Sequence, residues 1–116
     1  MAVSDTLFDK IIRKEIPAKI VYENEHVLAF HDIAPQAPVH VLVIPKHKWA
    51  YFADLAQADP VLVGNFMKGV SATAAKLGLV SNGYRVVINN GRDGQQTVDY
   101  LHTHILGGRP MTWPPG

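Results

Sequence analysis

The 116-residue chain contains no cysteine, which excludes disulfides, thiolate catalysis and any cysteine-based zinc site. It has little charge of either sign in excess. Eleven lysines and arginines against ten acidic residues leave a net charge of +1, which gives no electrostatic basis for binding a nucleic-acid polymer or an anionic membrane. No apolar run reaches membrane-spanning length. Met1 to Thr6 does not read as a basic-then-apolar signal, so a cytoplasmic protein is expected. Internal repeats, low-complexity segments and linkers are also missing. The length suits one domain, 1–116, with a C-terminal tail from 109 to 116.

Hydrophobic residues are present in ordinary globular amount, and their spacing gives the elements. Ser4 or Asp5 can cap a short helix that places Leu7, Phe8, Ile11 and Ile12 on one face, with Ile16-Pro17 as its end. Ile20 to Glu23 and Val27 to His31 read as strands around the turn Asn24-Glu25. Val39 to Ile44 is a β-branched strand stopped by Pro45. Asp59-Pro60 opens a second helix and Gly78 closes it, with Leu62, Phe66, Val70, Ala74 and Leu77 as the packing stripe. Tyr84 to Ile88 and Tyr100 to Leu106 complete five strands. Between them runs a turn-forming loop, Asn89 to Thr97. Adjacent strands with polar turns predict a mostly antiparallel α+β domain.

The last strand carries the chemistry. Alternation puts Tyr100, His102, His104 and Leu106 on one face, and Leu101, Thr103 and Ile105 on the other, suited to a core. The two histidines are then roughly 6.5–7 Å apart at their Cα atoms. Neighbouring imidazoles resist joint protonation, so at least one is neutral near pH 7 and can act as nucleophile or base. A protonated partner would be an acid and an anion ligand, which suits attack at an anionic phosphorus. Two plainly exposed histidines on an edge strand fit the same pattern. So does zinc ligation with His40 as third ligand, although no Asp or Glu clearly completes that set. The loop Asn89 to Thr97 offers glycines, amides, a hydroxyl and backbone N–H groups to phosphate oxygens.

Gln96-Thr97-Val98 leading to His102-Thr103-His104-Ile105-Leu106-Gly107-Gly108-Arg109 resembles the signature of the histidine triad superfamily. Phe8 to Glu23, Leu28 to Lys46, Tyr84 to Gln96 and Gly107 to Gly116 resemble its nucleotide-binding branch, so the likeness covers nearly the whole chain. The resemblance implies a two-layer α+β fold: a mostly antiparallel five-stranded sheet with two helices, paired into a homodimer with a continuous sheet. It implies hydrolysis of purine nucleoside phosphoramidates and acyl-nucleotide mixed anhydrides, conjugates of AMP or GMP, with no metal or other cofactor.

By position, His102 resembles the nucleophile, His104 the histidine that contacts phosphate and assists the leaving group, and His40 a supporting histidine. Asp32 resembles the carboxylate that holds the ribose hydroxyls. As a plain residue it would start the turn before Ala34-Pro35. Phe8, Phe30, His31 and Ile33 would line the base pocket or, equally, be core. Asn89, Gln95, Gln96 and Thr97 would hold the phosphate, and Trp113 would anchor a tail reaching the partner's site. Two positions depart from the family pattern: Tyr100 stands where the first triad histidine is usual, and Gln95 where glycine is frequent. A nucleotide-binding module without turnover, and an interaction protein using the dimer surface, are the alternatives to an enzyme.

Overall fold

The computed structural model describes residues 5–116. Its elements are α1 (Leu7–Ile12), β1 (Ile20–Glu23), β2 (Val27–His31), β3 (Val39–Pro45), a short 3₁₀ helix (Phe52–Gln57), α2 (Pro60–Lys76), β4 (Arg85–Ile88) and β5 (Thr103–Gly107). The five strands form one antiparallel sheet in the order β1-β2-β3-β5-β4. The expected class, an α+β domain with an antiparallel five-stranded sheet, is therefore observed. Among the described residues no helix is long and apolar enough to cross a membrane.

Both faces of β2 and β3 are buried, and alternation divides their side chains between two cores. Val27, Ala29, Val41 and Val43 join Leu101 and Ile105 under Phe66, Val70 and Ala74 of α2. Leu28, Phe30, Leu42 and Ile44 join Tyr100 on the other face, under Phe8 and Ile11 of α1. Of the stripe read from the sequence, Phe66, Val70 and Ala74 are core, Leu77 packs against it as the C-cap, and Leu62 is only half-buried. Gly69 lets this helix approach β2 closely, since a Cβ there would stand 2.5 Å from Val27 Cγ1. Gly78, at φ +75°, ends the helix in the left-handed conformation that glycine adopts without steric cost.

Several boundaries differ from expectation. Thr6 caps α1: its hydroxyl accepts from Asp9 N–H while Asp9 accepts from Thr6 N–H. Ser4 lies outside the described residues, and Asp5 instead pairs with Arg13. The helix stops at Ile12, ahead of Ile16-Pro17, with Lys14 at φ 62°. Leu7 is exposed.

The largest difference concerns β5, which begins at Thr103, not Tyr100. The register pairs Val43 with Thr103, so an extended ladder would bring Pro45, which has no N–H, to the level of Leu101. The Leu101 N–H donates instead to the Trp49 carbonyl at 2.7 Å, and the Tyr100 N–H to the Val98 carbonyl at 2.8 Å. Facing is nonetheless preserved. Leu101, Thr103 and Ile105 are buried, with Leu101 and Ile105 in the α2-side core, and Tyr100 is in the α1-side core.

Candidate active site

Beside Phe8 in the first turn of α1, the α1 face of the sheet carries histidines where a core would continue apolar. His40 is the second residue of β3, His104 lies in β5, and His102 precedes β5. β5 lies between β3 and β4, and His102 is only 4% exposed, so the reading of two exposed histidines on an edge strand does not hold. The His102 and His104 ring centroids are 5.0 Å apart, and the edge of Phe8 meets His102 at 4.9 Å.

Hydrogen bonds decide where each ring carries its proton. His102 Nδ1 lies 2.7 Å from the carbonyl oxygen of Tyr100. A carbonyl only accepts, so Nδ1 bears the hydrogen and Nε2 keeps a free lone pair. At His40 the logic runs the other way. The Gln36 N–H donates to His40 Nδ1 at 3.0 Å, so the neutral ring carries its hydrogen on Nε2. That atom is 2.9 Å from His104 Nδ1, which must then accept, and the His104 hydrogen is on Nε2. His102 and His104 are thus held in opposite tautomers, the first with a lone pair at Nε2 and the second with an N–H there.

Burial keeps these rings neutral. It pushes His104 down to about 4, with the neighbouring His102 and His40 adding to the effect and Asp32 opposing it. Burial also lowers His102, against the raising effects of the Tyr100 carbonyl and Asp32, and lowers His40 against Asp32.

Asp32 follows β2. One carboxylate oxygen accepts from the Ala34 N–H at 2.8 Å, and the other lies 3.4 Å from His40 Nε2. It is a turn residue and a site residue at once. It also corrects the expectation that no carboxylate completes a metal set. Ligand atoms of Asp32, His40 and His104 lie within 4.8 Å of one another, and this donor set of two imidazoles and a carboxylate suits zinc. A metal there would be held by these three side chains and would supply a Lewis acid. His102 is outside the set.

Phe8 and Phe30 are buried in edge-to-face contact at 5.7 Å, whereas His31 is exposed and Ile33 is 99% exposed. Ile88 pairs with Thr103, so Asn89 leaves the sheet beside the histidine segment. The loop after it is closed by Gln96. Its carbonyl accepts from Gly91 N–H, and its amide donates to the carbonyls of Ala50 and Val98. The Gln96 side chain is thus engaged within the loop, while Gln95 and Thr97 are exposed. Gln95 has φ 64°, the left-handed conformation that glycine adopts without steric cost. Trp113 is 81% exposed near Arg85, which donates to the Thr112 carbonyl. The Gln36 N–H escaped sequence reasoning because a backbone group has no residue-type signal.

The chain matches the HIT domain over residues 13–111. It belongs to the histidine triad family. This HIT chain is 51% identical, over 97% of its length and 89% of the relative's, to the 14 kDa zinc-binding protein of Zea mays. A HIT family hydrolase from Legionella pneumophila superposes with a TM-score of 0.90 at 46% identity, covering 97% of this chain and 100% of that one. The histidine triad nucleotide-binding protein of Candida albicans gives 0.78 at 34% identity, covering 87% of this chain and 73% of that one.

Proposed function

We propose that this chain hydrolyses purine nucleoside 5′-phosphoramidates and acyl-nucleotide anhydrides to the nucleoside monophosphate, through a nucleotidyl-histidine at His102. The observation that carries this reading is the pair of opposite tautomers. His102 offers an unencumbered Nε2 lone pair, and His104 offers an Nε2–H beside it.

His102 Nε2 attacks the α-phosphorus. The new N–P bond forms as the bond to the leaving group breaks, and the leaving group takes that electron pair. An acyl group departs as its carboxylate. A bridging nitrogen departs as the amine, having taken a proton from solvent. His104 Nε2–H donates to a phosphate oxygen and stabilises the charge on it. Water then attacks phosphorus, the N–P electron pair returns to His102, the water proton passes to solvent, and the monophosphate leaves. No step requires a metal.

Asp32 accepts from the ribose hydroxyls through the oxygen not held by Ala34. Ile33, His31, Phe30 and Phe8 border the base, and Asn89, Gln95 and Thr97 hold the phosphate, with Gln96 shaping their loop. The chain acts as a cytoplasmic homodimer in this reading. β4 is an edge strand with Val86 exposed and Tyr84 exposed just before it, and Arg85 ties the tail bearing Trp113 to that edge.

The test is release of AMP from adenosine 5′-phosphoramidate in the presence of a chelator, with His102→Ala as control. Release by the natural chain alone is expected. Tight binding of AMP without release would instead favour a binding module.

A further inference from the structure

The segment that presents His102 is not part of the sheet. β5 starts one residue later, so ladder bonds cannot hold residues 98–102 in place. Tyr100 lies at its centre and makes three bonds. Its phenol donates to the Pro45 carbonyl at the end of β3, across 2.5 Å. Its N–H donates to the Val98 carbonyl, and its own carbonyl accepts the His102 Nδ1–H at 2.7 Å. The ring is 1% exposed, with Phe8 edge-on at 6.1 Å and the Lys48 ammonium 5.6 Å from its centroid. Phe8 is also the ring against His102.

We infer that Tyr100 is a positioning residue for His102: by tying the segment to the exit of β3, its phenol fixes the carbonyl that sets the proton and the orientation of the His102 ring. This deepens the proposed function and rests on His102 being the nucleophile. An imidazole ends nearer the backbone than a phenol, so the link to Pro45 depends on the reach of tyrosine. The substitution that looks like the loss of a triad member is, in this chain, a strut behind the nucleophile.

Tyr100→Phe keeps the ring and removes the donor. Two readouts apply. Two-bond ¹H–¹⁵N spectra of the substrate-free protein report the His102 tautomer. Natural protein should show a slowly exchanging Nδ1–H, and Tyr100→Phe a mixture of tautomers with a fast-exchanging proton. Turnover of adenosine 5′-phosphoramidate should lose about tenfold to a hundredfold in kcat, with KM within about threefold, as expected for misorientation of a reacting group. Installing 4-aminophenylalanine at position 100 restores a donor of equal reach and should restore both readouts. It also serves should Tyr100→Phe not fold. A lowered melting temperature with the His102 resonance and kcat unchanged would mean a merely structural tyrosine and would overturn the inference, as would failure of the amino analogue to restore them. If the natural chain proves inactive on phosphoramidates, the proposed function falls, and the imidazole resonance still decides on Tyr100.

Discussion

His40 Nε2 and His104 Nδ1 lie 2.9 Å apart, and the direction of the bond between them is set by a third group, the Gln36 N–H on the far side of His40. Because that N–H can only donate, His40 must hand its hydrogen to His104. His104 then presents its own hydrogen towards the space beside His102. Replacing His40 by phenylalanine keeps a buried ring and removes the donor. We expect kcat to fall by about tenfold to a hundredfold, the usual effect of losing a group that orients a functional histidine. Far-ultraviolet circular dichroism should be unchanged, and kinetics with adenosine 5′-phosphoramidate check the rate.

Acid should weaken both turnover and folding. The charged and titratable groups around His104 are His102, His40 and Asp32, and burial dominates by lowering all three histidines from their ordinary 6.5. The lone pair at His102 Nε2 is lost on protonation, so the rate should be level near neutrality and fall on the acid side, with its half-point below 6.5. For stability the sign follows from proton counts. Between about 4 and 6.5 the folded chain holds His104 neutral while the unfolded chain protonates it. The unfolded chain therefore binds more protons, and stability falls as pH is lowered through this window. Urea denaturation at pH 7, 6, 5 and 4.5 measures it. Constant stability across the series would contradict burial of neutral histidines.

Zinc should inhibit, not activate. The atoms able to hold it belong to Asp32, His40 and His104, all three of which the proposed chemistry uses for hydrogen bonding. Chelator should leave turnover unchanged, and added zinc should suppress it. Calorimetry supplies a readout independent of activity. His102→Ala should bind zinc as the natural chain does, and His40→Phe should bind it at least tenfold more weakly.

Gly69→Ala should destabilise the fold by about 1–3 kcal/mol, the usual cost of overpacking a core. The added methyl would stand 2.5 Å from Val27 Cγ1 and 2.7 Å from its Cγ2, and Val27 is itself fully buried and hydrogen-bonded into the sheet, so it cannot retreat. The same substitution at Gly64, where no atom lies within 4 Å of the new Cβ, should stabilise slightly through helix propensity. Urea midpoints of the two variants give the comparison.

Much of the fold was legible because local periodicity reports burial. The period-3.6 stripe from Leu62 to Leu77 and the β-branched run from Val39 to Ile44 became α2 and β3 as read. The facing read around His102 also held, with Tyr100 in the α1-side core and Leu101 in the α2-side core, although the chain bends between Val98 and Tyr100. The start of β5 was not legible. It depends on Pro45, which meets that segment only after the chain has turned back through α2 and β4. The carboxylate near the histidines was missed for the same reason. Asp32 is eight residues from His40 and more than seventy from His104, and only the β2-β3 hairpin and the β3-β5 pairing bring the three together.

The sequence by itself determined the family, the antiparallel α+β class and the identity of the histidines, because residue type and spacing encode backbone preference and side-chain chemistry directly. The tertiary structure decided which nitrogen of each ring carries the hydrogen, that Tyr100 reaches Pro45, and that β5 is an interior strand. Those depend on backbone carbonyls and N–H groups that every residue possesses alike. A sequence cannot distinguish one such group from another, and packing alone selects which of them each imidazole meets.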